Sequence, residues 1–404
     1  MRKWIYGMLA VALCGVMTAC VNDDTDFSDI IAEYQVEPES IELDFTALTE
    51  APDVPVTDEN DSAYNDYVEN TSWNKVMYID FNGSSATVTG SVGGVAVSTS
   101  GAHVVVTNLS GPVKFVISGA TNDGSIKFYG DKRFQMLLNG ADITNPHGAA
   151  INNQGSKSMY VVLADGTTNT LRDGSNYTVV DEEDQKAALF SEGQIIFSGK
   201  GQLNVYAIGR GGIRSDDYVR IRPGVNIYVN STALDGLRAN DGIIVDGGVV
   251  NVETTGNGAK GVRSGGVMKV NGGRIIAIAD GDTRIETDET GLVDTTACAA
   301  LYCDTLVTVN AGILEFKATG DGGKGLNAKH NVVINGGKFM NVAMGTNKLK
   351  KAKGMKIDGN LAINGGYTYS YSRQSDPLDV AGNTSVTPGY TTYKLTVKVL
   401  TISY

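Results

Sequence analysis

The sequence is poor in proline, cysteine and aromatic residues. It contains 8 prolines and 4 cysteines among its 404 residues, and 7% of the residues are aromatic. So few cysteines exclude a small fold that depends on a disulfide framework. Cys14 lies in the N-terminal leader and Cys20 directly follows it, which leaves Cys298 and Cys303 for the folded body. These two are either bridged across a tight turn or buried as free thiols.

Positive charge is also scarce. The 33 lysine and arginine residues face 45 aspartate and glutamate residues, which gives a net charge of −12. Such an acidic chain is poorly suited to binding nucleic acid, whereas it suits a protein that binds calcium. Beyond residue 20 the sequence has no apolar run long enough to span a membrane.

The N-terminus has the pattern of a bacterial lipoprotein. Arg2 and Lys3 precede an apolar run that begins at Trp4 and ends in the sequence MTAC at 17–20. This pattern predicts a signal peptide over 1–19 and a lipidated Cys20, whose acyl chains would anchor the protein in the outer membrane. The acidic residues that follow resemble the tag that carries Bacteroidetes lipoproteins to the cell surface. An ordinary signal peptide without lipidation is the alternative.

Glycine, in contrast, is abundant, with 50 residues, and it accompanies an internal repeat. After an acidic segment at 20–75, which we predict to be a flexible tether, apolar marker residues recur at gaps of 24, 24, 25, 39, 25 and 29 residues. The markers are Leu189, Ile213, Leu237, Val262, Leu301, Leu326 and Met355. The longest gap is one period plus an insertion, which we place near 281–296. Repeats of this length are typical of a solenoid.

Each later repeat also contains a glycine turn preceded by alternating apolar residues. The turn follows a polar residue, which is in order Asp246, Asn271, Asn310, Asn335 and Asn364. Apolar residues stand one and three positions before each of them, in rows such as Val245, Val270, Val309, Ile334 and Ile363. The period of two predicts strands, and the longer period predicts one coil per repeat. We therefore predict an all-β chain in which 76–404 form a right-handed parallel β-helix, with an asparagine ladder at one turn.

Four ordered motifs carry a resemblance to a known family. They are LLNGADIT at 137–144, GAAI at 148–151, LADGTTNTL at 163–171 and AALFS at 187–191. Together they resemble a family of bacterial β-helix carbohydrate-binding proteins. The resemblance implies binding of polysaccharides such as cellulose or polygalacturonate, with bound calcium. In that family paired aspartates often precede the marker glycine, whereas this sequence has AKG at 259–261, GKG at 323–325 and AKG at 352–354, so the resemblance does not place calcium there.

A row of basic residues directly follows the markers. It comprises Arg214, Arg238, Arg263 and Lys356, is interrupted by Tyr302 and Asn327, and has a second row beside it, Lys260, Lys324 and Lys353. If the markers point inward, strand alternation turns the first row outward. Stacked like charges repel, so a polyanion such as a uronate polymer would stabilise them. The alternative is that the basic side chains pair with surface aspartates, namely Asp216, Asp217, Asp235 and Asp241.

Two smaller groups are further candidates. Tyr367, Tyr369 and Tyr371 place three rings on one side of a strand, either for stacking on sugars or packed beneath the C-terminal strand at 393–404. Asp216, Asp217 and Asp241 are candidate calcium ligands, because calcium prefers carboxylate oxygens.

These patterns lead us to expect a cell-surface lipoprotein that binds an acidic or plant cell-wall polysaccharide without cleaving it. A β-helix polysaccharide lyase or hydrolase is the first alternative, since stacked coils can bring carboxylates together. A surface adhesin with no sugar ligand is the second. The sequence contains no catalytic motif, and the histidines are scattered at His103, His147 and His330. A fold by itself does not separate these classes of protein.

Overall fold

The computed structural model describes residues 52–180, 182–287 and 289–387, together with the backbone of Thr391–Leu395 and Val399–Ser403. The predicted signal peptide, Cys20 and the start of the acidic segment lie outside the described residues. Within the described residues, the helical elements are two short 3-10 turns, Tyr64–Asp66 and Val68–Asn70. No helix there has the length and apolar character that crossing a membrane requires.

The remaining regular structure consists of strands. The first half of the chain contains β1 (Val76–Asn82), β2 (Ser85–Thr89), β3 (Val95–Ser100), β4 (Ala102–Asn108), β5 (Val113–Thr121), β6 (Gly124–Tyr129), β7 (Phe134–Thr144), β8 (Ile151–Asn153), β9 (Met159–Leu163), β10 (Thr168–Arg172), β11 (Ala187–Ser191), β12 (Ile195–Gly199), β13 (Gln202–Ala207), β14 (Gly211–Ser215), β15 (Tyr218–Ile221), β16 (Asn226–Ser231), β17 (Leu237–Ala239), β18 (Gly242–Val245) and β19 (Val249–Thr254). The second half contains β20 (Lys260–Ser264), β21 (Val267–Val270), β22 (Arg274–Ala279), β23 (Arg284–Thr287), β24 (Val293–Thr296), β25 (Ala299–Cys303), β26 (Val307–Val309), β27 (Ile313–Ala318), β28 (Lys324–Ala328), β29 (Val332–Ile334), β30 (Lys338–Ala343), β31 (Lys353–Ile357), β32 (Leu361–Ile363), β33 (Tyr367–Ser372), β34 (Leu378–Val380), β35 (Thr384–Val386), β36 (Thr391–Leu395) and β37 (Val399–Ser403).

Most of these strands pair in parallel and stack in three faces. Face 1 contains β4, β6, β8, β11, β14, β17, β20, β25, β28, β31 and β34, and face 2 contains β9, β12, β15, β18, β21, β26, β29, β32 and β35. Face 3 contains β10, β13, β16, β19, β22, β27, β30 and β33. The long strand β7 continues from face 2 into face 3, since its first half pairs with β9 and its second half with β10. The chain is therefore a parallel β-helix of about 11 turns, as the repeat predicted.

The marker residues stack in register on face 1. Leu237 pairs with Ile213 on one side and with Val262 on the other. The same row continues through Leu301, Leu326 and Met355. All of these side chains are buried, Leu237 with 2% exposure. A coil by itself leaves this row open to water, so the coils are stable when stacked.

The predicted asparagine ladder lies at the corner between faces 2 and 3. The side-chain amide of Asn310 donates to Asn271 Oδ1 at 2.8 Å, and Asn335 donates to Asn310 at the same distance. The ladder extends to Asp246 at one end and to Asn364 at the other. The glycines beside it have little room, since a Cβ on Gly273, whose φ is 77°, would lie 2.6 Å from the backbone of the coil below.

Two insertions interrupt the corner between faces 3 and 1. A loop at 173–186 joins β10 to β11, and its Glu183 binds Lys127 on the outside of face 1 at 2.6 Å. The second insertion is the antiparallel hairpin β23–β24, which lies where the longest gap between markers predicted it. Just after the hairpin, Cys298 and Cys303 are buried as free thiols, which was the second of the two predicted alternatives.

The segment at 52–75 is bound to face 2. This corrects the prediction of a flexible tether that extends to residue 75. Arg220 binds Asp66 at 2.9 Å, and Arg222 binds Glu69 through two hydrogen bonds of 2.7 and 3.1 Å. Tyr67, in the same segment, faces these two arginines. The guanidinium group of Arg220 lies 5.4 Å from the centre of its ring, and that of Arg222 lies 4.5 Å from it. The acidic composition predicted solvent exposure, but these carboxylates have basic partners on face 2 that are distant in sequence.

Candidate functional site

The outward side of face 1 carries the predicted arginine row. Arg214, Arg238 and Arg263 pair in register across β14, β17 and β20. Their side chains are 19%, 28% and 30% exposed, because each follows a buried marker on an alternating strand. The next coil places Tyr302 in the row, with the Arg263 guanidinium 5.2 Å from the centre of its ring. The three arginines thus form a continuous stack, one strand apart.

The arginine stack lies in a cleft of about 100 Å³, which we call the basic cleft. Both insertions contribute to it, since Lys186 ends the 173–186 loop and Arg284 begins the hairpin. The charged residues that line the basic cleft are Lys186, Arg214, Arg238, Arg263 and Arg284 on the basic side, and Asp235 on the acidic side. A protein with a net charge of −12 therefore concentrates positive charge at this point.

Arg238 lies in the middle of the stack and is incompletely neutralised. Burial lowers its pKa, and the neighbouring Arg263 and Arg214 lower it further, against the opposite effect of Asp235 and Asp216. Asp235 Oδ2 lies 3.7 Å from Arg238 Nη1 and 3.5 Å from Arg263 Nη1. Charge-assisted hydrogen bonds are usually shorter than this. One carboxylate is therefore shared loosely between two arginines.

Arg214 is more tightly paired. Asp216 Oδ1 accepts hydrogen bonds from Arg214 Nε at 3.1 Å and from the Asn240 amide at 3.0 Å, and its other oxygen binds the ammonium group of Lys186. The alternative in which the basic row pairs with surface aspartates thus describes Arg214 well. It describes Arg238 and Arg263 less well, because the carboxylate that they share, Asp235, lies 3.5 to 3.7 Å from their guanidinium groups.

Two of the three candidate calcium ligands, Asp216 and Asp217, are engaged in other bonds. The oxygens of Asp216 are engaged with Arg214 and Lys186, and those of Asp217 accept from the Tyr218 backbone N–H at 2.8 Å and from the Gln194 amide. The described carboxylates that do lie close enough together to share an ion are Asp184, Glu192 and Asp216. The Lys186 ammonium group bridges two of those three residues. Its positive charge offsets part of the negative charge of this cluster.

Comparison with known proteins identifies the family. Residues 100–396 match the family described as carbohydrate-binding domain-containing proteins. The chain belongs to this family. A relative of the same description from Acetivibrio thermocellus is 34% identical over 124 residues, which are 30% of this chain and 43% of the relative. The chain thus spans less than half the length of that relative. A solved structure of the polysaccharide lyase-like protein from C. thermocellum is similar with a TM-score of 0.47 and 20% identity, over 78% of this chain and 97% of the other.

The second basic row is turned away from the surface. Lys260 and Lys324 are 3% and 5% exposed, and their ammonium groups donate to backbone carbonyls, Ala297 at 2.7 Å and Gly322 at 2.8 Å. Burial lowers the pKa of each lysine to about 8. Lys353 is also buried and binds Asp376 and Asp379 at 3.2 and 2.7 Å. These lysines lie at the corner between faces 3 and 1, and their ammonium groups do not line the basic cleft.

The far end of the first basic row is separated from the basic cleft. Asn327 and Lys356 follow Tyr302 in register, and the Lys356 ammonium group binds Asp358. The cleft therefore contains three of the four predicted residues of this row.

The three predicted tyrosines lie at the C-terminal end of face 3. Tyr369 and Tyr371 are 2% and 6% exposed, and the backbone of β37 pairs antiparallel with β33 across them. Burial, and then the other two tyrosines, raise the pKa of Tyr369. Two of the three rings thus have little surface left for stacking on sugars, and β37 extends face 3 beside them.

Sequence reasoning missed two residues of the basic cleft, Lys186 and Arg284. Both lie in insertions, outside the repeat that aligned the other basic residues. The long spacing between β10 and β11 and the insertion at 281–296 were the available signals, because insertions in a solenoid cluster at particular corners.

Proposed function

We propose that this protein binds an acidic polysaccharide in the basic cleft, with polygalacturonate as the first candidate, and that it does not cleave it. The observation that carries the proposal is the stack of three arginines in register, in which Arg238 and Arg263 share one carboxylate at 3.5 to 3.7 Å.

The spacing of the stack supports a polymeric ligand. Strands of adjacent coils lie about 4.8 Å apart, so successive arginines present their guanidinium groups at that interval. A uronate polymer carries one carboxylate on each sugar, and arginine binds a carboxylate with two parallel hydrogen bonds. Such a ligand would relieve the repulsion within the stack. Because surface fields decay over about 10 Å in ordinary salt, the local basic residues outweigh the overall acidity of the chain.

The carboxylates beside the cleft support binding over cleavage. A lyase needs a free base close to the sugar, and a hydrolase needs an acid and a base or nucleophile on either side of the bond. Asp216 and Asp235 are the carboxylates nearest the arginines, and both act as counter-ions to them. Neither carboxylate is therefore free of a basic partner, as a general base beside the sugar would need to be.

The test is calorimetric titration with a hexamer of galacturonate. Arg238→Ala combined with Arg263→Ala should weaken binding by about 30- to 100-fold, which corresponds to about 2–3 kcal/mol. The matched control is Arg274→Ala, which removes an arginine bound to Glu315 at 2.6 Å on face 3 and should leave binding unchanged. Binding should weaken as salt rises, and a calcium chelator should not affect it. Undiminished binding by the double variant would overturn the assignment of the basic cleft.

Cleavage is tested on the same samples. Incubation with polygalacturonate should give no unsaturated uronate and no new reducing ends. Turnover at an ordinary enzymatic rate would replace the binding proposal with a lyase or a hydrolase. If binding is lost when a chelator is present, binding depends on calcium even though the oxygens of Asp216 and Asp217 have other partners.

We also propose that the protein is anchored at the cell surface through Cys20. The support is the leader sequence, in which an apolar run ends in MTAC at 17–20. Cys20→Ala should leave an unlipidated precursor that no longer partitions into detergent. Protease treatment of intact cells tests surface exposure as a separate property, and protection of the protein there would place it on the inner side of the outer membrane.

A further inference from the structure

Face 3 carries an aromatic surface that the basic cleft does not explain. On the outside of β13 and β16, the rings of Tyr206 and Tyr228 meet edge to face with their centres 5.9 Å apart. Tyr206 is 37% exposed, and the Arg172 guanidinium lies 5.3 Å from the centre of its ring. We call this surface the tyrosine platform, which consists of Arg172, Asn204, Tyr206, Tyr228, Asn230 and Glu253.

The tyrosine platform is held on a rigid sheet. Tyr206 pairs in register with Arg172 on one side and with Asn230 on the other, and Tyr228 pairs with Asn204. The residues that alternate with them, Val205 and Val229, are fully buried in the core. The sheet fixes the backbone that carries the rings, and the contacts of the rings with Arg172, Glu253 and each other orient them, so little conformational entropy is lost when a ligand binds.

The charged groups of the tyrosine platform are engaged by neighbouring side chains. Arg172 binds Asp142 at 2.5 Å, and Glu253 accepts hydrogen bonds from the Tyr228 hydroxyl at 2.9 Å and from the Asn230 amide at 3.3 Å. Burial, and then the bond to Glu253, raise the pKa of Tyr228, so its hydroxyl stays protonated. This surface contrasts with the basic cleft, where positive charge is in excess. It lacks the excess of positive charge that a polyanion would need, so it suits a ligand without net charge.

We propose that the tyrosine platform is a second binding site, which takes an uncharged, extended polysaccharide chain. The apolar faces of the sugars would stack on Tyr206 and Tyr228, since tyrosine offers a large apolar surface with a polar end. The amides of Asn204 and Asn230 would bind hydroxyl groups. Adjacent coils are about 4.8 Å apart, which is close to the length of one pyranose unit, so a chain along the solenoid axis meets one coil per sugar. This inference rests on the carbohydrate-binding family of the chain and is independent of the acidic ligand proposed for the basic cleft.

The test uses the full mature chain and a panel of neutral β-1,4-linked hexasaccharides of glucose, xylose and mannose. At least one of them should bind in calorimetry, and Tyr206→Ala and Tyr228→Ala should each weaken that binding by about ten-fold. Tyr206→Phe keeps the ring and should bind nearly as well as the unchanged protein. The matched control is Tyr78→Ala, which removes a tyrosine that is 51% exposed on β1 and should have no effect.

Two further measurements separate this site from the basic cleft. Binding of the neutral chain should persist at about 1 M salt, where ionic contacts are screened, and it should be unchanged in the Arg238→Ala and Arg263→Ala double variant. Binding of the galacturonate hexamer should be unchanged in Tyr206→Ala. If no neutral chain binds, or if binding survives loss of both rings, the tyrosine platform is not a site, and the proposal for the basic cleft is unaffected. If the neutral chain competes with the galacturonate hexamer, the two sites are one, which would also overturn the inference.

Discussion

The corner between faces 2 and 3 and the corner between faces 3 and 1 are built in different ways. At the first corner, the later coils repeat the same turn, and the side chains of Asn271, Asn310 and Asn335 bind one another at 2.8 Å. At the second corner, the coils differ, since it contains the 173–186 loop, the β23–β24 hairpin and the buried Lys260.

The difference shows where this protein can vary. The uniform corner keeps the coils in register, because each asparagine needs an equivalent neighbour in the next coil. The variable corner is held by separate contacts in each coil, so insertions there do not disturb the stack. The basic cleft lies at the variable corner, with Lys186 and Arg284 from the two insertions lining it. The following predictions test this contrast.

The largest effect is expected in the interior, which both corners share. Leu237→Asp should lower the free energy of unfolding by about 3–5 kcal/mol, because it places an unpaired charge between Ile213 and Val262. Denaturant unfolding measures the effect. Arg238→Ala, one residue further along the same strand, should change stability by less than about 1 kcal/mol. Equal effects of the two substitutions would contradict the inward and outward assignment.

The next effect concerns the variable corner and depends on pH. Burial holds the pKa of Lys260 at about 8, whereas a lysine in the unfolded chain has a pKa of about 10.4. Between these values the unfolded state binds more protons, so the folded protein should become more stable as pH rises from 8 to 10, and Lys260 should contribute at most about 1.4 kcal/mol per pH unit to this slope. Lys260→Met should reduce this slope, as measured by unfolding at several pH values.

The matched control for that slope is Lys353→Met. Burial lowers the pKa of Lys353, but its bonds to Asp379 and Asp376 outweigh this and raise the pKa overall. Removal of Lys353 should therefore leave the slope between pH 8 and 10 as it is in the unchanged protein. An unaltered slope in Lys260→Met would show that this lysine is not held in a desolvated state.

A smaller loss of stability is expected at the uniform corner. Asn310→Ala removes one hydrogen bond to each neighbouring coil and should destabilise the protein by about 1–2 kcal/mol. Binding of galacturonate should not change, because the uniform corner is outside the basic cleft. Asn226→Ala, which alters an asparagine outside the ladder, should cost less. A loss of binding in Asn310→Ala would mean that the two corners are coupled.

The smallest effect is expected at the wall of the basic cleft. Arg284→Ala should weaken binding of the galacturonate hexamer by about three-fold, since Arg284 is partly neutralised by Glu286 at 2.5 Å. Calorimetry measures it beside Arg274→Ala, which removes the same charge on face 3. An unchanged affinity in Arg284→Ala would limit the site to the arginine stack and exclude the hairpin.

The sequence by itself determined the β-helix, the register of its interior and the asparagine ladder. Each of these follows from residues that recur at a fixed interval, so Leu237, Val270 and Asn310 could be aligned with their equivalents by counting along the chain. The arginine stack followed for the same reason, since Arg214, Arg238 and Arg263 hold the same position in three successive repeats.

The tertiary structure alone decided which basic groups reach the basic cleft and which are buried. Lys186 and Arg284 lie outside the repeat, and their approach to the arginine stack depends on how two insertions fold over one corner. Lys260 and Arg238 are both basic and both belong to the repeat, yet one donates to backbone carbonyls in the interior and the other faces the cleft. The same holds for the acidic segment at 52–75, whose Asp66 and Glu69 have partners more than a hundred residues away. Periodicity specifies contacts between equivalent positions, whereas these contacts join positions that are not equivalent, so the folded chain is needed to define them.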